Sequence, residues 1–462
     1  MMKIRNILVS LAVLSSTASF AQLPDAATIA PKMYPGWNLG NTMEANNSGQ
    51  NFTNNVGLGG ETAWQSTKTT QEVIDFVKSQ GFRSVRIPCN WVCGHISDAS
   101  AVTIDAQWMA RVKEIVDYCI GSGLYVLLND HYDGGWVQNT LEDVSEATVT
   151  QNCATMKTIW TQIATTFKDY DEHLLLAGMN EPGMNELGLD KTFKAENVAA
   201  LQKYEQAFID AVRATGGNNA TRTLVVQGPS TDIDQTYNLY EMSGITDPAG
   251  SGRLMLEVHF YSPWQFCGLE EDADWGKAWY FWGSANHVPS GTLAVRNTSS
   301  SYEESYVQSQ FKKMKTKYAD KGYPIILGEY GCQWRNVGNT VAQNRHNASV
   351  KLFHQTVNQQ GPTNGIVPFV WDINVQSQGG TKGIMTVLNR SAKSVYCSYA
   401  MDGITAGVTS TTWGGPTSGI STVPFDRSAD SKDAATFNIL GQRVSPDAKG
   451  LVIIGGKKYV RR

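Results

Sequence analysis

The feature that most constrains this chain is a repeated unit: a short apolar run ending in polar or aromatic residues, then a segment of helical pattern. Eight such runs occur, at 36–42, 84–91, 124–132, 174–182, 223–229, 254–261, 324–333 and 367–374. Continuous apolar stretches such as Tyr125-Val126-Leu127-Leu128 suit strands covered on both faces, as in a parallel sheet. Helical patterns lie between them at 70–79, 105–120, 146–167, 195–214, 302–319 and 342–359. The first two are followed by Gly81 and by Gly121 and Gly123, which read as glycine stops. Strand and helix alternating through eight units predict a (β/α)8 barrel, an α/β fold. The competing open doubly wound sheet would need a glycine-rich phosphate loop, and the sequence offers none.

Two regions break the rhythm. Residues 262–301, after the sixth run, carry Trp264, Trp275, Trp279, Phe281 and Trp282 and should lie at the open end of the barrel. After about Met401 the pattern stops. The sequence divides into a leader at 1–21, a catalytic barrel at 22–404, a linker rich in Ser, Thr and Gly at 405–435, and a short β-rich tail at 436–462. The leader has the layout of a signal peptide: Lys3 and Arg5, an apolar stretch from Ile7 to Leu14, and Ser19-Phe20-Ala21 before Gln22. Its apolar stretch is too short to span a bilayer, so export without a membrane anchor is expected.

Composition narrows the function. With a net charge of −4 the chain has no basic field to attract nucleic acid. Seven cysteines leave at least one unpaired, and Cys89 and Cys93 have no second pair at zinc-site spacing. No metal and no cofactor are expected, and a monomer is. Thirteen Trp and 18 Tyr offer flat faces on which sugar rings could pack, although aromatic residues also fill cores.

In a parallel barrel the reactive groups stand at the C-terminal ends of strands. Those ends carry Arg86, His131, Asn180, Glu181, His259, Tyr261, Glu329 and Trp371. A strand end needs no carboxylate for packing, because an unpaired buried charge costs several kcal/mol or shifts its pKa. Two glutamates at the ends of different strands therefore suggest paired acid–base work. Glycoside hydrolysis needs such a pair, one carboxyl protonated to release the leaving oxygen and one ionised to attack or to activate water. An arginine beside one and a less polar site around the other would separate their pKa values. Asp130-His131-Tyr132-Asp133 could also be read as a metal cluster, but strand alternation sends Asp130 and His131 to opposite sides.

Met179-Asn180-Glu181-Pro182 and Leu327-Gly328-Glu329-Tyr330-Gly331 resemble the acid/base and nucleophile signatures of glycoside hydrolase family 5. Gly36-Trp37-Asn38-Leu39-Gly40-Asn41-Thr42, Val85-Arg86-Ile87-Pro88, Asp130-His131-Tyr132, His259-Phe260-Tyr261 and Val370-Trp371-Asp372 are similar to its other strand-end patterns, in the family's order. The resemblance covers roughly residues 36 to 374. It implies a retaining mechanism with Glu181 as general acid/base and Glu329 as nucleophile, their carboxyl groups about 5–5.5 Å apart. It further implies that Arg86 and Tyr261 keep the nucleophile anionic and that Asn180 binds the sugar 2-hydroxyl. His131 and His259 would position hydroxyls and the acid/base, and Trp371 would underlie the reacting sugar. Asn41, Trp136 and Trp264 are further candidates for substrate contact. Asp133-Gly134-Gly135-Trp136 resembles the branch that includes endoglucanases and xyloglucanases, which implies an internal cut in a β-1,4-glucan, cellulose-type, mixed-linkage or xyloglucan. Tyr132 departs from the Asn or His that family members often carry there. A β-mannanase on the same scaffold, or a carbohydrate-binding protein without catalysis, are the alternatives. The C-terminal Phe437-Asn438-Ile439-Leu440-Gly441-Gln442-Arg443-Val444 with its basic end resembles part of a secretion sorting signal of Bacteroidetes-type bacteria, implying a cell-surface or secreted protein.

Overall fold

The computed structural model describes residues 22–45, 55–183, 193–378, 380–417 and stretches within 436–461. The leader expected at 1–21 and residues 418–435 of the expected linker lie outside them. The eight runs form eight strands: β1 (Gly36–Asn38), β2 (Ser84–Ile87), β3 (Tyr125–Asn129), β4 (Leu174–Ala177), β5 (Leu224–Gln227), β6 (Leu254–Phe260), β7 (Ile325–Tyr330) and β8 (Ile366–Val370). Each is buried along its whole length, as their apolar character requires. They pair in parallel in chain order, and β1 closes on β8 through Gly36 opposite Phe369 and Trp37 opposite Val370. The (β/α)8 barrel read from the sequence is the fold.

The outer layer holds α2 (Gln71–Ser79), α3 (Ala106–Gly121), α4 (Glu146–Phe167), α5 (Ala195–Ala214), α6 (Ile233–Leu239), α7 (Glu304–Lys317) and α8 (Thr340–Thr363). Local chemistry sets several of their starts. The Asp105 side chain accepts from the backbone N–H groups of Gln107 and Trp108, satisfying two donors that the first turn of α3 leaves open.

A helix that the alternation did not suggest, α1 (Ala26–Met33), plugs the bottom of the barrel. Its Ala26, Ile29, Ala30 and Met33 pack against inward residues of the strands, among them Leu127, Leu175, Val225, Met255, Ile326 and Phe369. Arg253 Nη1 fastens this segment by donating to the carbonyls of Leu23, Pro24 and Thr221 at 2.6, 2.9 and 3.0 Å. The sealed floor matters for the site, because strand side chains alternate with period two. Two residues beyond the floor, the same inner face carries Asn129 after Leu127, Gln227 after Val225 and Glu257 after Met255.

The aromatic segment after β6 is a folded layer. Tyr280 lies between the guanidinium groups of Arg296 and Arg335, 4.8 and 4.7 Å from the ring centre. His346 of α8 meets the Tyr280 carbonyl at 2.7 Å, and Trp282 Nε1 donates to the carbonyl of Tyr302 at 2.9 Å.

The domain boundary expected at 404/405 falls inside a further helix, α9 (Ser398–Thr409). Gly403 and Gly407, one turn apart, let its backbone lie directly on α8. A Cβ on Gly407 would stand 2.6 Å from the Gln355 carbonyl oxygen and 2.7 Å from Asn358 Cβ. The chain stays attached beyond α9, where Gly414 N–H donates to Pro362 and Trp413 stacks on Tyr34. Residues 405–417 are therefore part of the barrel rather than linker. The tail forms a four-stranded antiparallel sheet within residues 436–461. None of the seven cysteines, all of them among the described residues, is in a disulfide. Among the described residues no helix is long and apolar enough to cross a membrane.

Because the contact between α8 and α9 has no room for a side chain, Gly407→Val should destabilise the protein by about 1–3 kcal/mol. A lower denaturant midpoint with unchanged slope and unchanged hydrolysis at 25 °C is the expected result. An unchanged midpoint would mean that the two helices are not in such close contact.

Candidate active site

Arg86 is the centre of the site. Period two on β2 aims it inward above Ser84, where its side chain is completely buried. A buried guanidinium is costly unless it is paired, and here its two terminal nitrogens are hydrogen-bonded while Nε lies against a carboxylate. Nε faces Glu257 Oε1 at 2.9 Å, Nη1 donates to Glu329 Oε1 at 2.9 Å and Asn38 Oδ1 at 3.0 Å, and Nη2 donates to Asn180 Oδ1 at 2.6 Å. Burial alone would lower its pKa, but the charges of Glu257 and Glu329 raise it, so Arg86 is a permanent cation. Asn38 in turn donates to the carbonyls of Gly328 and Val370 at 2.9 and 3.2 Å, tying β1 to β7 and β8.

Glu329 reaches the site through a break in regular pairing. Ile326 points into the barrel, so strict alternation would turn Glu329 outward. Between Val258 opposite Leu327 and His259 opposite Glu329 the register skips Gly328, and a matching shift occurs against β8. This bulge re-aims the glutamate into the mouth of the barrel. There Tyr261 Oη donates to its Oε2 at 3.0 Å. His131 Nε2 lies 3.9 Å from Oε1 and His259 Nδ1 lies 3.8 Å from Oε2.

Glu181, past the end of β4, faces it. Its Oε1 lies 2.6 Å from His259 Nδ1, and its Oε2 accepts from Gln138 Nε2 at 3.1 Å. Its side chain is 30% exposed against 8% for Glu329, so Glu181 looks onto the cleft and Glu329 lies beneath it. One oxygen of each carboxyl, together with a His259 ring nitrogen, falls within a 4.8 Å cluster.

The two histidines differ in charge. Burial pulls the His259 pKa down, but Glu329, Glu181 and Glu257 carry it up to about 9. Burial, then the charges of Arg86 and His259, drive His131 well below the usual range, so it is neutral. Asn129 Nδ2 donates to His131 Nδ1 at 3.2 Å, which leaves Nε2–H toward Glu329. A protonated His259 has no lone pair for a metal, and Arg86 already occupies Glu329. The cluster therefore has metal-site spacing but acid–base chemistry.

The two glutamates separate with the opposite sign to the one expected. Burial pushes Glu181 up, but the hydrogen bond and charge of His259 prevail and hold it below the usual glutamate range. Burial raises Glu329 despite the charges of His259 and Arg86. The reason is His259, whose short bond goes to Glu181, so the proton an acid would need resides on the imidazole.

Trp371 follows β8 with its ring parallel to His131, at 8° and 5.8 Å between centres. Gly40 leaves room for it: a Cβ there would stand 3.1 Å from the indole. Trp264 is 44% exposed and meets Tyr261 edge-on at 6.2 Å. Trp136 donates through Nε1 to Asp133 Oδ2 at 3.2 Å, and Asp133 also accepts from the backbone of Val92 and Cys93. Asn41 engages through its backbone N–H, which donates to Glu44, while Asn38 makes the contact with Arg86. Reading only strand ends also missed Glu257 and Gln227. The available signal was a glutamate inside the apolar run 254–260, in phase with His259.

A closed parallel barrel with opposed carboxylates, imidazoles and a guanidinium at its C-terminal mouth defines a glycosidase of the two-carboxylate class. The sequence profile of Cellulase (glycosyl hydrolase family 5) matches residues 45–377, and the chain belongs to that family. Endoglucanase A of Paenibacillus barcinonensis is 33% identical over 390 residues, which are 79% of this chain and 87% of the relative. A family 5 xyloglucan-specific β-1,4-glucanase from a ruminal metagenomic library, solved in complex with XXLG, is 48% identical with a TM-score of 0.76, covering 84% of this chain and 97% of that one. The Bacteroides ovatus family 5 xyloglucanase, in complex with an XXXG heptasaccharide, is 26% identical with a TM-score of 0.70, covering 84% and 77%.

Arg86→Lys keeps the charge but not the fork that reaches four acceptors. Losing two charge-assisted bonds at about 1.5–3 kcal/mol each should lower kcat/KM at least about 100-fold. Steady-state hydrolysis of soluble β-glucan checks this, and a loss below tenfold would mean that the fork is dispensable.

Proposed function

We propose that this endo-β-1,4-glucanase cuts with retention of configuration, with Glu329 as nucleophile and Glu181 as general acid/base, and that xyloglucan is its preferred glucan. The observation that carries the mechanism is the spacing of the two glutamates, with an oxygen of each inside one 4.8 Å cluster. Retaining enzymes place their carboxyl groups about 5–5.5 Å apart, whereas inverting ones leave roughly 6.5–9.5 Å for a water. In the first step a Glu329 oxygen attacks the anomeric carbon, the glycosidic bond breaks and Glu181 delivers a proton to the leaving oxygen. In the second, Glu181 takes a proton from water as that water displaces Glu329.

A bound chain that excludes water from Glu181 makes its charge more costly and draws the proton across the 2.6 Å bond from His259. Arg86 and Tyr261 hold the Glu329 carboxylate. Arg86 engages Asn180 Oδ1, which turns the Asn180 amide NH2 toward a sugar 2-hydroxyl. Trp371 underlies the reacting sugar, His131 bonds a hydroxyl, and Trp136 and Trp264 line the cleft. The 48% identity to a xyloglucan-specific relative supports the substrate preference. Such polymers are met outside the cell, which accords with the export expected from the leader and tail, and the enzyme acts as a monomer.

Glu329→Gln should abolish hydrolysis to below about 0.1% of wild type with an unchanged melting temperature, and wild-type turnover would remove it from the nucleophile role. Glu181→Gln should lose far less kcat/KM on an activated aryl cellobioside, which needs little acid assistance, than on polysaccharide. Equal losses on both would contradict the acid role. Reducing-end release should be fastest on xyloglucan, slower on carboxymethylcellulose and mixed-linkage glucan, and absent on pure mannan. Activity on mannan alone would overturn the specificity.

A further inference from the structure

A third carboxylate lies beneath the site and takes no part in the two steps above. Glu257, in the middle of β6, is fully buried, so no substrate can reach it. Its Oε1 lies 2.9 Å from Arg86 Nε and 3.3 Å from His259 Nε2, and its Oε2 accepts from Gln227 Nε2 at 2.7 Å. Gly328 makes the space for it: a Cβ there would collide with Glu257 Oε1 and stand 2.8 Å from His259 Nε2. The bulge that aims Glu329 thus also opens the slot that Glu257 fills.

His259 consequently bridges two carboxylates, Glu181 at Nδ1 and Glu257 at Nε2. The charged and titratable groups around it are Glu181 after β4, Glu329 on β7, Arg86 on β2, neutral His131 after β3, and Glu257 and Tyr261 on or just after its own strand. Arg86 touches both Glu257 and Glu329 and can neutralise only one of them. One net negative charge therefore remains beside the imidazole. Replacing Glu257 by a neutral group leaves Arg86 and Glu329 to offset each other and removes one of the three carboxylates, Glu329, Glu181 and Glu257, that favour a proton on His259.

We propose that Glu257 is a positioning residue that retains the catalytic proton: as a fixed anion under His259, it keeps the His259–Glu181 pair singly protonated at neutral pH. The proton held on His259 in the free enzyme is the one Glu181 delivers to the leaving oxygen. Water returns it in the second step, so the balance closes within each turnover. Burial works against the charge on Glu257, but Arg86 and His259 hold its pKa below the ordinary glutamate range, as a permanent anion requires.

The proposal rests on the acid/base role of Glu181, and its test separates the two. For Glu257→Gln, the basic limb of the kcat/KM profile on soluble xyloglucan should move at least about one pH unit lower, a tenfold loss on that limb. At the acid end of the profile the variant should stay within about threefold of wild type. On an activated aryl cellobioside, which needs no proton, the basic limb should not move. A loss of the same factor at every pH and on both substrates would assign Glu257 a structural role only and overturn the proposal. If the variant does not fold, NMR titration of labelled histidines in the wild-type enzyme, with the His259 signal assigned from His259→Asn, still decides. His259 should keep its proton to about pH 8, and a neutral imidazole at pH 7 overturns the proposal. Undiminished hydrolysis by Glu181→Gln would instead remove the acid/base reading itself.

Discussion

One buried cation organises the mouth of this barrel. Arg86 cannot be left bare in a water-poor interior, and the groups that satisfy it come from β1, β6, β7 and the turn after β4. Each acceptor is thereby fixed in place. Glu329 is held on one oxygen and receives Tyr261 on the other, and Asn180 has its carbonyl oxygen engaged, which orients its amide. The desolvation cost of the guanidinium is offset by the same contacts that give the site its geometry. Packing and preorganisation are here one set of interactions.

The barrel beneath makes that arrangement possible. Strand periodicity divides the inner faces into an apolar floor closed by α1 and a polar layer above it. A single irregularity, the bulge at Gly328, breaks the alternation where a charged side chain must cross from the outer face to the inner one. Glu257 occupies the room left by the missing side chain. Backbone irregularity, glycine and third carboxylate form one local solution, and each would be unfavourable without the others.

Much of this could be read from residues alone, for identifiable reasons. Fully buried parallel strands leave unbroken apolar runs, and reactive groups at strand ends follow those runs directly, so Arg86, Asn180, Glu181, His259 and Glu329 stood out. What escaped the reading depended on contacts distant in sequence. Glu257 sits inside an apolar run, where only its partners on β2 and β5 explain a charge. Asn38 ends a three-residue strand and Asn41 follows it, and so short a strand gives no phase to choose between them. Helix α9 carries glycines that normally count against a helix, and α8 supplies the stabilisation that intrinsic propensity lacks. The pKa order of the two glutamates could not be foreseen, because it turns on whether His259 bonds to one or the other.

The closed floor has a consequence for proton traffic. With α1 packed against the inner side chains, the polar layer has its exit at the cleft, the surface that a bound polysaccharide covers. In the mechanism proposed above, a seated chain covers that exit during the first step, and the proton for the leaving oxygen has to be in the site already when the chain binds. On that proposal the first step draws on a proton lent by the imidazole to the carboxylate, and the water that enters after the leaving chain has gone repays it.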